Sequence, residues 1–269
     1  MPRNEPTGTR VPVVLAIGGH DPCGGAGVQA DIETIGALGC HAATAVTCLT
    51  VQDTINVLAL HPVESYILLA QIHAFLEDLP VAVVKLGLLG IVAAVNTVAD
   101  VLDGVPELPV VFDPVLAAGG GADLSGEALI EAIRGRLLGR TFLLTPNTQE
   151  AARLTGGQAP ADAAGTLLEA GVRHLLVTGG HEAGAEVVNT WYGPDTPCET
   201  WSWPRLAGTY HGSGCTLASA CAALIARGLP LKMALRLAQA FTHDALVQAH
   251  RSGRGQSLPR RILGPAVTS

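Results

Sequence analysis

Aromatic side chains and positive charge are both scarce in this sequence. With 4 Phe, 3 Tyr and 3 Trp in 269 residues, its core has to close on aliphatic and small side chains. Sixteen Lys and Arg stand against 23 Asp and Glu, giving a formal charge of -7, and no basic run is long enough to track DNA or RNA. Nucleic acid is therefore not an expected partner. The opening MPRNEPTGTR has no apolar secretory core, and no later stretch has the uninterrupted length of a membrane span. A soluble, cytoplasmic chain without a membrane partner is expected. Six cysteines, at 23, 40, 48, 198, 215 and 221, include no zinc-type CxxC pair. Scattered among apolar and glycine-rich segments, they suit reduced thiols better than a disulfide framework. His20, His181 and His211 stand singly, without metal-ligand spacing. No convincing repeat points to a solenoid.

What the chain does have is an alternation of apolar runs and helical periodicity. VPVVLAIG at 11–18, AATAVTCLTVQ, VAVVKLG at 81–87, PVVFDPV at 109–115, FLLTPN at 142–147 and HLLVTGG at 174–180 read as buried strands. Between them, helical patterns cover 26–38, 62–79, 91–103, 125–138 and 160–170, and two more follow near 214–227 and 230–250. Continuous apolar strands need cover on both faces, so an α/β class with a mainly parallel sheet is expected. Functional groups should then gather at the carboxyl ends of the strands. The segment EVVNTWYGPDTPCETWSW at 186–203 has two β-like stretches about a Gly-Pro-Asp turn, which suits an antiparallel extension of the sheet.

Two glycine-rich turns stand out. In 209-TYHGSGCTLASACAALIA-226, Gly212 and Gly214 precede an Ala-rich helix, where unpaired backbone N–H groups can receive an anion. The other, 18-GGHDPCGGAGVQAD-31, lacks the Gly-Lys-Ser/Thr ending of a P-loop. Its glycines suit either a tight strand-to-helix crossover or one side of a compact ligand site. Asp113 sits at a strand tip before Pro114, and Asn147 and Glu150 follow Pro146. These oxygen groups have two readings, organisation of Mg²⁺ near phosphate or helix capping and turn formation.

GGHDPCGGAGVQAD, CLTVQDT, KLGLL, FDPV, TPNTQEA and TYHGSGCTLASA occur in an order that resembles the hydroxymethylpyrimidine and phosphomethylpyrimidine kinases of thiamin biosynthesis, within the ribokinase-like superfamily. The resemblance runs from Val13 to Gly255. It implies a three-layer α/β/α fold with a flexible segment at 1–12, a kinase domain at 13–255 and a tail at 256–269, which either covers the ligand or is solvated. It also implies ATP-dependent phosphorylation of 4-amino-5-hydroxymethyl-2-methylpyrimidine and of its monophosphate, with Mg²⁺, by a homodimer.

Carried over by motif, Gly19, Asp31 and Gln52 correspond to substrate-binding positions, and Leu88 and Val115 line the pyrimidine pocket. Gly212, Ser213, Gly214 and Cys215 correspond to the anion hole, with Cys215 as the catalytic candidate. A helix-start thiolate is the chemistry expected of it. Asp113 is placed near metal and phosphates, and Asn147 and Glu150 match the Mg²⁺-associated pair. The chain departs from the family pattern in three places. Thr178 stands where lysine is common beside the ATP phosphates, Leu88 where methionine is common, and Cys23 where serine is usual. Thr178 can donate a hydrogen bond but brings no charge. Two other functions stay open on these grounds: another small-alcohol kinase, such as one acting on pyridoxal, and a noncatalytic pyrimidine or nucleotide binder.

Overall fold

The structure is a computed structural model that describes residues 10–117, 124–180, 182–194 and 196–262. His181 lies outside the described residues, as do 1–9 of the expected N-terminal segment and 263–269 of the expected tail.

A nine-stranded sheet forms the middle layer. Its order is β3 (Val57–Pro62), β2 (His41–Gln52), β1 (Val13–His20), β4 (Val81–Leu86), β5 (Val110–Phe112), β6 (Leu143–Leu144), β7 (His174–Thr178), β8 (Glu186–Gly193) and β9 (Thr196–Pro204). The strands from β2 to β7 are parallel, and β3, β8 and β9 add antiparallel edges. The helices are α1 (Gly27–Ala37), α2 (Ser65–Asp78), α3 (Val92–Asp103), α4 (Glu127–Arg136), α5 (Thr148–Leu154), α6 (Pro160–Glu169), α7 (Ser213–Ala226) and α8 (Leu231–Val247). This is the expected three-layer α/β/α architecture with a mainly parallel sheet. No helix among the described residues is long and apolar enough to cross a membrane.

Side-chain alternation in the strands divides the core in two. Val13, Leu15 and Ile17 of β1 pack with Leu68, Val98, Ile133 and Leu167 on the face covered by α2 to α6. Val14 and Ala16 point the other way, to Leu217, Ala220 and Leu224 of α7. Thr216 to Leu224 are all buried, so the Ala-rich run of α7 is what lets a central helix lie close to the sheet.

Several boundaries differ from the sequence reading. Residues 62–79 were expected to be helical throughout, but helix starts at Ser65, and Pro62 ends β3, which pairs antiparallel with β2. The strands expected at 109–115 and 142–147 form ladder only over β5 and β6. Pro114 and Pro146 follow within two residues and cannot donate to a ladder. Helix α5 adds a turn structure absent from the expected set. The tail expected from residue 256 is packed rather than solvated as far as residue 262. There, Leu258 and Arg261 are buried and Ser257 bridges to Tyr210.

Candidate active site

The carboxyl ends of β1, β4, β5, β6 and β7 open into one cavity of about 600 Å³. The residues carried over by motif as site candidates all border it: Gly19, Asp31, Gln52, Leu88, Val115, Asp113, Asn147, Glu150, Thr178 and Gly212 to Cys215. Parallel strands and short crossovers bring these distant segments together without a dedicated binding domain.

The two glycine-rich turns are packed against each other. Gly27 has φ +59° and a Cβ there would overlap the Gly19 carbonyl, while Gly212 has φ +86° and a Cβ there would overlap the Gly25 carbonyl. Only glycine combines this backbone with such close approach. Asp21 locks the arrangement. Its carboxylate accepts hydrogen bonds from Cys23 N at 2.9 Å and Ala26 N at 2.7 Å, and Oδ2 lies 2.9 Å from His211 Nε2. Burial opposes ionisation of Asp21, but hydrogen bonds led by that from His211 bring its carboxyl down to about 2. Cys23, 3.2 Å from Asp21 Oδ2, is pushed up to about 11 by burial and by this carboxylate. It therefore acts as a small turn residue.

Gly212 is the N-cap of α7, and no side chain caps the helix. The first-turn N–H groups and the positive end of the helix thus face the cavity, a ready anion site. Asp113 stands beside it, with Oδ1 3.6 Å from where a Cβ on Gly214 would fall.

The expected Cys215 thiolate is not what the geometry favours. Burial and then the neighbouring Asp113 charge push the thiol up to about 12, outweighing Lys85 and the backbone N–H of Gly27. The helix field cannot offset a desolvated site that already holds a carboxylate. Asp113 itself is raised by burial, with Lys85 and a hydrogen bond from Cys215 opposing. Its Oδ2 has no protein partner.

Beneath the cavity lies Lys85, 0% exposed, with Nζ 2.8 Å from Asp31 Oδ1. Burial works against its charge, but Asp31, Cys215 and Asp113 together hold the ammonium above its ordinary range. Ser219 Oγ also donates to Asp31 Oδ1, at 2.6 Å, which leaves Oδ2 buried without a partner. Only that oxygen of Asp31 is open to a ligand. Gln52 Nε2 donates to Thr50 Oγ1 at 2.7 Å. Leu88 packs so close to Gly19 that a Cβ there would meet Leu88 Cδ2 at 3.2 Å.

Asn147 and Glu150 form a capping box at α5: Asn147 Oδ1 accepts from Glu150 N at 2.8 Å, and Glu150 Oε2 from Asn147 N at 2.9 Å. Glu150 is pushed up to about 8 by burial and by the Asp113 charge, against hydrogen bonds from backbone N–H groups. The capping role is thus real for both residues.

Sequence reading assigned no role to Lys85, the Asp21–His211 pair or Arg261. A lysine inside VAVVKLG was itself a signal, since a charge in a buried strand needs a partner. The distant pairings carry no sequence signal. Among the described residues, Lys85 and Arg205 are the only Lys or Arg bordering the cavity. Arg205 donates to the carbonyls of Gly180, Gly184 and Glu186.

The family model for phosphomethylpyrimidine kinase matches residues 21–259. The chain belongs to the phosphomethylpyrimidine kinase family. It is 36% identical over 252 residues to the hydroxymethylpyrimidine/phosphomethylpyrimidine kinase of Rhizobium meliloti, covering 91% of this chain and 94% of that one. A thiamine biosynthesis bifunctional protein of Geobacter sulfurreducens is also 36% identical, and there the match covers 93% of this chain but 52% of the relative. Among solved structures, an ADP complex of Bacillus subtilis pyridoxal kinase superposes with a TM-score of 0.86 at 25% identity, covering 94% of this chain and 98% of that one. The chain is accordingly a kinase of the ribokinase-like fold. The cavity just described is where this family member has its glycine loops, its uncapped helix and its paired carboxylates.

Proposed function

We propose that this kinase transfers the γ-phosphoryl group of ATP to the hydroxymethyl group of 4-amino-5-hydroxymethyl-2-methylpyrimidine, and then phosphorylates the monophosphate. One observation carries the reading. A single cavity is lined by Asp31, whose Oδ2 is unpartnered, by Gln52, by Asp113 and by the uncapped first turn of α7. Asp31 Oδ2 accepts from the exocyclic amine, Gln52 pairs with the ring edge, and Leu88 and Val115 cover the ring faces.

The N–H groups of Gly212, Ser213, Gly214 and Cys215 stabilise the phosphoryl oxygens as charge develops on them. Phosphoryl transfer asks mainly for alignment and charge stabilisation, so proton removal from the hydroxymethyl group comes late. Asp113, whose neighbour Cys215 stays a thiol, is the base that receives that proton, and Cys215 orients the pair through its hydrogen bond.

The donor set suits a divalent cation. Asp113 Oδ2 has no protein partner, and burial together with the Asp113 charge raises the cost of ionising Glu150. Mg²⁺ would be held by Asn147 and Glu150, with Asp113 nearby, and would neutralise phosphate charge. Thr178 adds a hydrogen-bond donor at the nucleotide end. Arg205 is the cation we assign to the polyphosphate there. It has five N–H donors, and three carbonyls engage only part of that fork. The homodimer implied by the resemblance and the cytoplasmic location expected from the sequence belong to the same proposal. Exposed Leu49, Val51 and Leu58 on the β2–β3 edge support self-association, which sedimentation velocity checks.

The test is mass-resolved product formation from ATP, Mg²⁺ and the pyrimidine. Successive monophosphate and diphosphate are expected. A monophosphate alone would remove the second step, and no phosphorylated pyrimidine would remove the reading. Pyridoxal is the second acceptor to include, because the structural likeness to a pyridoxal kinase is close.

A further inference from the structure

The last described segment of the chain reaches the glycine loops. Arg261 is 3% exposed, and its guanidinium donates to Thr216 Oγ1 at 2.8 Å, to Glu33 Oε2 at 3.1 Å, to the Gly24 carbonyl at 3.5 Å and to the Gly25 carbonyl. These partners belong to the first turn of α7, to α1 and to the first glycine loop. Thr216 Oγ1 in turn donates to the Gly212 carbonyl at 2.8 Å. One planar fork therefore touches every segment that shapes the anion site.

The segment that carries Arg261 is fixed along its length. Gly255 N donates to Thr54 Oγ1 at 3.0 Å and Gln256 N to the Thr54 carbonyl at 2.7 Å. His211 N and the Ser257 carbonyl are joined at 3.0 Å, and Arg260 N donates to the Ala245 carbonyl at 2.9 Å. This strap runs past His211, which holds Asp21 from the opposite side of the same loop. Burying a guanidinium is costly unless its donors are satisfied, and here they are shared between two loop carbonyls, the Thr216 hydroxyl of α7 and the Glu33 carboxylate of α1.

We propose that Arg261 is a positioning residue for phosphoryl transfer: it sets the spacing between the first glycine loop and the mouth of α7. The inference rests on the kinase reading of that mouth. When Arg261 is removed, the two loops separate while the sheet and the pyrimidine end stay in place. Turnover falls, and acceptor binding does not.

The experiment compares the full-length chain with Arg261→Gln, Arg261→Lys and Thr216→Val. It uses steady-state kinetics with ATP and the hydroxymethylpyrimidine, together with backbone hydrogen exchange. For Arg261→Gln, kcat should fall about 10- to 100-fold, as small misplacements at a reacting centre do. KM for the pyrimidine should move by less than about threefold. Segments 19–27 and 209–217 should exchange faster together, with the strands unchanged. Arg261→Lys should not restore kcat, because an ammonium cannot span the carbonyls that the fork spans. Normal kcat in Arg261→Gln, full recovery with lysine, or loss of protection spread through the sheet would each overturn the proposal. Should Arg261→Gln not fold, Thr216→Val removes the α7 contact at similar volume and is held to the same readouts. If the wild-type chain phosphorylates no pyrimidine, the kinase reading of the mouth fails on that result, and paired exchange in the two segments still decides whether the clamp exists.

Discussion

Lys85 Nζ lies 2.8 Å from Asp31 Oδ1 at the cavity floor, with side-chain exposures of 1% and 0%. A charge buried there has no water to fall back on, so each member of the pair depends on the other. Lys85→Met should destabilise the chain by about 3–5 kcal/mol in denaturant unfolding, the range seen when one partner of a buried pair is removed. The double variant Lys85→Met/Asp31→Asn should be more stable than Lys85→Met alone. If the double variant is the weaker of the two, the pair is not what holds Lys85 in place.

The other oxygen of Asp31, Oδ2, has no protein partner and is the acceptor proposed for the pyrimidine amine. Asp31→Asn should raise KM for the hydroxymethylpyrimidine by about 10-fold or more, since an amide in that position loses a charged acceptor for the amine. The KM for ATP should stay within about twofold. Equal rises in both constants would argue for general disruption of the cavity.

Burial and the Asp113 charge hold Cys215 as a thiol, which leaves the Asp113 carboxylate beside it as the proposed proton acceptor. Asp113→Asn should lower kcat by about 100-fold or more, within the span of general-base losses, and Cys215→Ser should lower it less. Thiolate absorbance attributable to Cys215, taken as the difference from Cys215→Ser, should be missing at pH 8. Thiolate signal at that pH, or a larger loss in Cys215→Ser than in Asp113→Asn, would return the base to the sulfur.

Asp21 gives the fold a defined acid response. Its carboxyl sits at about 2 instead of the ordinary 3.8, so the stabilisation it brings is complete above 3.8 and is lost as pH falls through about 2. Asp21→Asn should be less stable than the wild type at pH 6, and the gap should close between those two values in urea titrations. A gap that is constant with pH would mean that the carboxylate charge is not what ties Asp21 to His211.

Gly212→Ala places a Cβ against the Gly25 carbonyl at a φ of +86°. Both the backbone and the contact oppose it, so ADP affinity should drop about 10-fold or more in calorimetry, with a lower Tm. Gly126→Ala, at φ -76° with open space around it, serves as the neutral comparison.

Much of the site was legible in the sequence because it is built from contiguous motifs at strand ends, where a polar turn interrupts an apolar run. Asp113, Gly212, Gly214 and Cys215 stood out in this way, while Gly19, Asp31, Gln52, Leu88 and Val115 came from the family resemblance. The fold class followed from the same alternation. What stayed hidden depends on pairing across the chain: Asp21 with His211, Lys85 with Asp31, and Arg261 with Gly25 each join segments that only the sheet order brings together. β3 was hidden for a different reason. It is an edge strand whose Leu58 is exposed and whose last residue is a proline, so neither a buried run nor a clean alternation marks it. The raised thiol of Cys215 was not legible because a helix start alone suggests a lowered one, while the burial and the adjacent Asp113 carboxylate that push it up come from the packed fold.

The most direct measurement is a structure of the protein with ADP, aluminium fluoride, Mg²⁺ and the hydroxymethylpyrimidine. The fluoride group should sit on the backbone N–H groups of Gly212 to Cys215, in line between ADP and a pyrimidine hydroxymethyl oxygen within hydrogen-bond reach of Asp113. Nucleotide bound away from the start of α7, or a pyrimidine with its hydroxymethyl group turned from Asp113, would contradict the assignment.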